Sequence, residues 1–307
     1  MKLLIITCLL IGQFVSSQNV QFVNQPIDSI NAKEIRSLFQ DSKQAIWLGT
    51  KSQGIFRLKN KQLQKMIVNN ESALTGFISV LEETEGSILF SGRGVMRFKD
   101  DSITMLSDKD GIKSNVIFSI SKLNDDSICF SGNKGSDCIE KKTIKHFNTI
   151  NGLKHQVVHD VKKDVLGQLW FATRKGGLNM LDKNGEWYYF LEATNCRKLF
   201  KLKNGNIWIG TSTGAVLLNV KKRNFEVFEK GFALIPQVET DNNIVVFATE
   251  NNGIFTYKNK AWKQFNTKNS ILKSNVIHSI IEDSNNELWF GFDKGIQVLK
   301  YSDLHGN

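Results

Sequence analysis

Apolar residues in this chain come in short bursts that alternate with polar ones, the pattern of half-buried strands, and they do not recur at helical spacing. One phrase organises the bursts: an apolar anchor, a second apolar residue, a small residue with Thr or Ser, a short polar loop, then Gly and an aliphatic. It occurs seven times, starting at Trp47 (WLGTKSQGIF), Leu89 (LFSGRGVM), Cys129 (CFSGNKGSD), Trp170 (WFATRKGGL), Trp208 (WIGTSTGAV), Val246 (VFATENNGI) and Trp289 (WFGFDKGIQ). Successive anchors lie 38 to 43 residues apart. A period near forty, built from strand formers and punctuated by Gly and Asn, is the signature of propeller blades. A helical solenoid of that period would need amphipathic helices.

Each unit divides into four strands. In the last one, 275–283 (NVIHSIIED) reads as the first strand, ELWFGF as the second and GIQVLKY as the third; KAWKQF at 260–265 is a fourth strand of the unit before. Polar turns such as DSNNE, KNGN and TDNN separate first from second strands and suit tight hairpins. The expected fold is all-β, a seven-bladed β-propeller of four-stranded antiparallel blades, in one domain over residues 18–307. The last unit lacks a fourth strand, while 21–41 matches 264–283 with one residue more, leaving Val20 to Asn24 as a fourth strand without an owner. The expectation is that this N-terminal strand completes the last blade and removes an open edge.

Composition adds the compartment. The 307 residues are 41% hydrophobic and 23% charged, ordinary for a globular domain. Residues 1–17 (MKLLIITCLLIGQFVSS) carry one Lys, an apolar run and small residues before Gln18, the form of a secretory signal peptide. The run is too short to span a bilayer, and no later segment approaches that length. The expected location is therefore periplasmic or secreted. After the leader, Cys129, Cys138 and Cys196 remain, an odd number without metal spacing. They read as small buried residues, with a bridge between Cys129 and Cys138 left open.

The stretches GIKSNVIFSI (111–120), GLKHQVVHDV…GQLWFATRKGG (152–177) and SNVIHSIIEDSNNELWFGFDKG (274–295) resemble the two-component regulator propeller repeat. That repeat occurs in tandem in the periplasmic sensor regions of bacterial hybrid histidine kinases. The resemblance extends over essentially all of the chain after the leader, and implies a sensor-like propeller that binds a ligand or a partner. The family's best-known members join two propellers to a further β-domain, a membrane helix, a kinase and a response regulator. One propeller alone is expected not to signal across a membrane. The units at Leu89, Cys129 and Val246 lack the Trp and are the more diverged.

Strand alternation puts the loop entering the first strand and the loop between second and third strands on one face. Arg93, Lys134, Arg174, Lys175 and Lys294 come from the second set, and Asn115, His155, Arg197 and Asn275 from the first. These nine are the candidate ligand-binding residues. The opposite hairpins carry Asp41, Glu82, Glu83, Glu85, Asp125, Asp126, Asp164, Asp241, Glu282, Asp283 and Glu287, so one face is expected basic and the other acidic. A positive field over a funnel attracts anions, and Arg grips carboxylate or sulfate with a fork of donors. An anionic oligosaccharide fits that description; plain solvated turns are the alternative.

The repeated Trp residues read as packing between blades rather than a sugar platform. His155 and His159 in HQVVHD share a strand face but stand too far apart for one ion, and DKDG and DKNG lack the calcium-loop acids. No metal and no cofactor is expected. No G-x-S-x-G or phosphate-binding Gly loop occurs, so the expectation is a binding protein and not an enzyme. Two alternatives stand beside it: a scaffold subunit of an envelope or secretion assembly, and an enzyme like the streptogramin lyases, also seven-bladed, whose W-F-T-E wording is absent. The formal charge of +10 and pI of 9.3 would suit nucleic acid, but export excludes that partner and leaves an anionic glycan or an envelope protein.

Overall fold

The computed structural model describes residues 18–19, 21–25, 30, 33–67, 76, 78–141 and 143–305. The expected leader, residues 1–17, lies outside them. Seven antiparallel sheets follow one another along the chain. The first strand of each blade contacts the first strand of the next, and Ile277–Glu282 of blade seven returns to Ile35–Gln40 of blade one. The ring is closed and the seven first strands line its axis.

The recurring phrase explains itself in the turns. The Thr50 hydroxyl donates to the Gly54 carbonyl (2.7 Å) and accepts from the Gln53 N–H (2.9 Å), which fixes the loop between second and third strands. Thr173, Thr211 and Thr249 close the same turn onto Gly177, Gly214 and Gly253 at 2.8, 3.1 and 2.6 Å. The glycine that follows is required by space. Gly253 has φ +76°, and a Cβ there would lie 2.1 Å from the carbonyl of Phe265 in the outer strand.

The anchor Trp residues are core, as expected. Trp47, Trp170 and Trp208 are at most 1% exposed. Three of them are also tied to their own first hairpin. The Trp47, Trp170 and Trp289 indoles donate to Asp41, Asp164 and Asp283 at 2.8, 2.8 and 3.0 Å, while the second oxygen of each Asp accepts two turn N–H groups. This corrects the reading of those acids as part of a charged face: they are 8, 5 and 7% exposed and serve the turn. Blade five has Leu202 at that place, and the Trp208 indole nitrogen has no partner among the described residues.

In two of the three blades whose anchor is not Trp, another device ties the strands. Leu89 stands opposite Arg97, which grips Glu83 through two hydrogen bonds of 2.7 and 2.8 Å. Cys129 stands opposite Cys138, and the two form a disulfide between the second and third strands of blade three. They are therefore not two free buried thiols: direct cross-strand pairing brings their Cβ atoms within bonding reach. Cys196 is free and buried.

The N-terminal strand does not complete the last blade. Gln21–Asn24 pairs antiparallel with Gln62–Ile67 as a fifth strand of blade one, and Gln18–Asn19 is a fifth strand of blade two. An aromatic cluster holds it there: Phe22 meets Trp47 and Phe98 edge-on at 6.3 and 5.8 Å, and the Arg57 guanidinium lies 3.7 Å over its ring. Among the described residues blade seven has three strands, followed by a 3-10 helix, Tyr301–His305, whose Leu304 is buried against blades six and seven. Packing closes the ring instead. Ile281, Trp289 and Ile296 of blade seven cover Ile35, Leu38, Leu48 and Phe56 of blade one, and the Leu38 N–H donates to Ser279 Oγ at 3.1 Å.

That last bond is one of a set between neighbouring first strands. The Ile120 N–H donates to Ser79 Oγ (3.2 Å) and the Leu199 N–H to Asp160 Oδ2 (3.0 Å), from the same repeat position. Inner strands of adjacent blades are thereby held in register around the axis.

Candidate functional site

One residue from the start of each inner strand forms a ring about the axis: Arg36, Phe118, His159, Arg197 and His278 are the second residues of their strands, Ile235 the first, and Ile78 comes just before Ser79–Glu82. All seven line one cavity of about 580 Å³. Strict alternation would turn the next residue away from it. Register shifts at Ile35/Ser37, Ile117/Ser119, Cys196/Lys198 and Ile277/Ser279 re-aim the strands, and Ser37, Ser119, Lys198 and Ser279 line the same space. With Lys51 from a loop, the lining carries four cations, Arg36, Lys51, Arg197 and Lys198, and no carboxylate among the described residues.

Carboxylates stand just behind some of the cations. Glu34 pairs with Arg36 and, at 3.2 Å, with Lys51, while Arg197 pairs with the exposed Glu250. Asp160 is fully buried and accepts from Ser119 and Ser121, each at 2.8 Å, and from Lys162 at 3.1 Å. Burial alone would raise its pKa; the Lys162 and Lys198 ammonium groups, with the Leu199 and Ser121 bonds, outweigh that and hold it at about 2. It is an anion that supports the inner strands and stands near Lys198, and it does not line the cavity.

The two histidines of the ring stay neutral near pH 7. Burial pushes His159 down to about 4, helped by the charges of Arg197 and Arg174. Burial and Arg36 lower His278. Phe118 and His159 lie ring to ring at 5.3 Å, so one arc of the mouth, Ile78 to His159, is largely apolar. The cations occupy the rest. Among the described residues no group of three or more His, Cys, Asp or Glu is placed to hold a metal ion.

Of the nine residues read from the sequence, Arg197 alone lines this cavity. Arg174 and His155 stand close enough to His159 to lower its pKa. The two loop sets do share a face, as the Arg174 N–H to Val157 and Asn133 N–H to Val116 carbonyl bonds of 3.1 Å show. Three of the nine serve those loops: His155 Nδ1 accepts from Val157 (2.9 Å), Asn115 from Asn133 (2.8 Å) and Asn275 from Thr267 (2.9 Å). Arg93, Lys134, Lys175 and Lys294 are exposed at the rim. Sequence reasoning missed Arg36, His159, Lys198 and His278. Their signal was present in the repeat: Arg36, His159 and His278 share one column of varied residues, each just after a buried aliphatic (Ile35, Val158 and Ile277), and Lys198 falls in the column that follows.

The comparisons bear on this ring. The family described as Two component regulator propeller matches residues 271–294. That stretch is similar to a two-component regulator propeller repeat. Its match ends at Lys294, in the loop just before the third strand of blade seven, and includes His278 and Ser279 of the channel. A curated relative, Histidine kinase P4 of Formosa agariphila, is 24% identical over an alignment 186 residues long, and the match covers 52% of this chain and 13% of the kinase. The extracellular domain of BT4673 from B. thetaiotaomicron, named a one component system in one crystal structure and a hybrid two component system in another, superposes with a TM-score of 0.76 in the first. There the identity is 17%, and the match covers 92% of this chain and 40% of that one. A streptogramin B lyase structure gives 0.70 at 14% identity, covering 92% and 97%. The chain thus spans well under half the length of the sensor proteins it matches, and at these identities the superpositions speak for the fold.

Proposed function

We propose that this propeller is an exported ligand-binding module of sensor type, and that it takes an anionic ligand, of the class of acidic oligosaccharides, at the mouth of its central channel. The observation that carries the reading is the lining itself: Arg36, Lys51, Arg197 and Lys198 face the cavity, with no carboxylate among its described lining residues. A concave site with one sign of charge concentrates ions of the other, and a volume of about 580 Å³ is in the range that encloses a small ligand. The apolar arc at Ile78 and Phe118 offers a surface for the faces of a sugar ring.

Export is supported by the leader-like residues 1–17, by the Cys129–Cys138 bridge, a bond favoured in oxidising compartments, and by the matched extracellular domain. Among the described residues no helix is long and apolar enough to cross a membrane. Binding without chemistry is part of the proposal. A lyase is the second reading, favoured by the lyase-like fold and by two histidines in the mouth. General-base work at neutral pH asks for a pKa near 7, and His159 at about 4 counts against it. Turnover of streptogramin B by the purified chain with added magnesium would reverse that choice.

A glycan array that includes uronate-bearing and sulfated oligosaccharides tests the binding reading. The expected result is retention of acidic glycans, lost in Lys198→Ala and weakened only mildly in Arg174→Ala at the rim. Equal retention by wild type and Lys198→Ala would remove the channel from consideration.

A further inference from the structure

The channel lining is not equally satisfied all the way round. Four serines share one repeat position, and three are used: Ser79 and Ser279 accept from the next blade's backbone, and Ser119 donates to Asp160. Ser37 is 4% exposed, lines the cavity and has no hydrogen-bond partner among the described residues. Across the seam between blades seven and one stands His278. The Arg36 guanidinium is 3.5 Å from its Nδ1, and since an arginine is always a donor, Nδ1 must be the acceptor. The ring proton is then on Nε2, which is buried without a hydrogen-bond partner; its neighbour Glu34 Oε1 lies at 3.5 Å, outside hydrogen-bond geometry. Arg36, Ser37 and His278 thus line the same cavity, and two of their donors are buried just beneath its surface without acceptors, which is costly.

We infer that this seam is the subsite for the ligand's oxyanion, a carboxylate or sulfate group seated among Arg36, Ser37 and His278. The inference rests on the channel-binding reading above. An oxyanion supplies several acceptor lone pairs, which suits the Ser37 hydroxyl, the His278 Nε2–H and the guanidinium together. Glu34 holds Arg36 and Lys51 from behind, so the group of four side chains keeps one net positive charge with His278 neutral. A neutral imidazole donor needs no proton uptake to receive the ligand. The rest of the ligand then extends across the channel toward Lys198 and the Phe118 arc.

The test uses the whole mature chain with sodium glucuronate, sodium sulfate and glucose as probes, followed by calorimetry and by histidine 15N NMR. His278→Asn assigns the His278 Nε2 resonance. The expected result is a saturable shift of that resonance with glucuronate or sulfate and none with glucose, and Ser37→Ala weakening binding by about tenfold. The stronger of the two probes identifies the source of the oxyanion. Ser37→Ala should leave the melting temperature of the free protein unchanged or raised, because its hydroxyl has no partner to lose; a purely structural serine would lower it. If Lys198→Ala abolishes binding while Ser37→Ala and His278→Asn leave it intact, the seam is wrong and the channel reading stands. No binding of either anion overturns both.

Discussion

Asp164→Ala probes the tie between a blade's anchor tryptophan and its first hairpin. One carboxylate oxygen accepts from the Leu166 and Gln168 N–H groups at 2.8 and 2.9 Å, and the other from the Trp170 indole at 2.8 Å. Asp164 is 5% exposed and Trp170 is fully buried, so the substitution leaves the Gln168 and Trp170 donors without acceptors out of reach of water. A buried orphaned donor costs about 1–3 kcal/mol, so the two together should cost about 2–6 kcal/mol, a large share of the roughly 5–15 kcal/mol that holds a domain folded. Asp182→Ala is the control. Its carboxylate accepts from Asn184 and Glu186 at 2.8 and 2.9 Å in a like turn, but both bonds are exposed and no indole is involved. Its removal should cost about 1 kcal/mol. Guanidinium unfolding followed by tryptophan fluorescence measures both. Asp164→Asn should recover much of the turn but not the indole bond, since an amide nitrogen cannot accept. Equal destabilisation by Asp164→Ala and Asp182→Ala would refute the claim that the buried indole bond dominates.

Two further outcomes concern pH and redox state. His159 has a folded pKa of about 4 against 6.5 for the free side chain, so above pH 6.5 both states are neutral and its contribution is complete. As pH falls from 6.5 to 4 the unfolded chain binds a proton that the folded one refuses, and roughly 3 kcal/mol is lost. Denaturation midpoints at pH 7 and 4.5 should therefore differ less in His159→Asn than in wild type; identical differences would show that His159 is not the group. The Cys129–Cys138 bridge spans nine positions, and closing so short a loop stabilises by about 2–3 kcal/mol. Reduction, or the double Ser variant, should lower the melting temperature without changing the circular dichroism of the folded state.

The sequence and the structure agree about the fold because a propeller repeats one local solution. Each unit carries its own anchor and its own alternating strands, four of them with the Thr-to-Gly turn, and these are contacts within about forty residues. The blade count, the four-strand plan that blades three to six follow and the buried role of Trp47, Trp170 and Trp208 were legible from that repetition. The cross-strand position of Cys129 and Cys138 could also be read by aligning units on their anchors, and would have turned an open alternative into a bridge.

What the sequence could not decide lies between blades. Repeat matching placed Val20 to Asn24 on blade seven, but the same strand fits any outer edge with an aromatic neighbour. The cluster of Trp47, Phe98 and Arg57 captured it on blade one. Charged residues were legible as charged, yet not as exposed or buried: Asp41, Asp164 and Asp283 look like Glu82 or Asp241 until the indole above them is seen. The candidate site divides in the same way. Loop residues such as Arg174 and Lys294 announce themselves by sitting in polar turns. Arg36, His159, Lys198 and His278 are hidden inside strands, and only closing the ring turns one residue from each of seven distant segments toward a common axis.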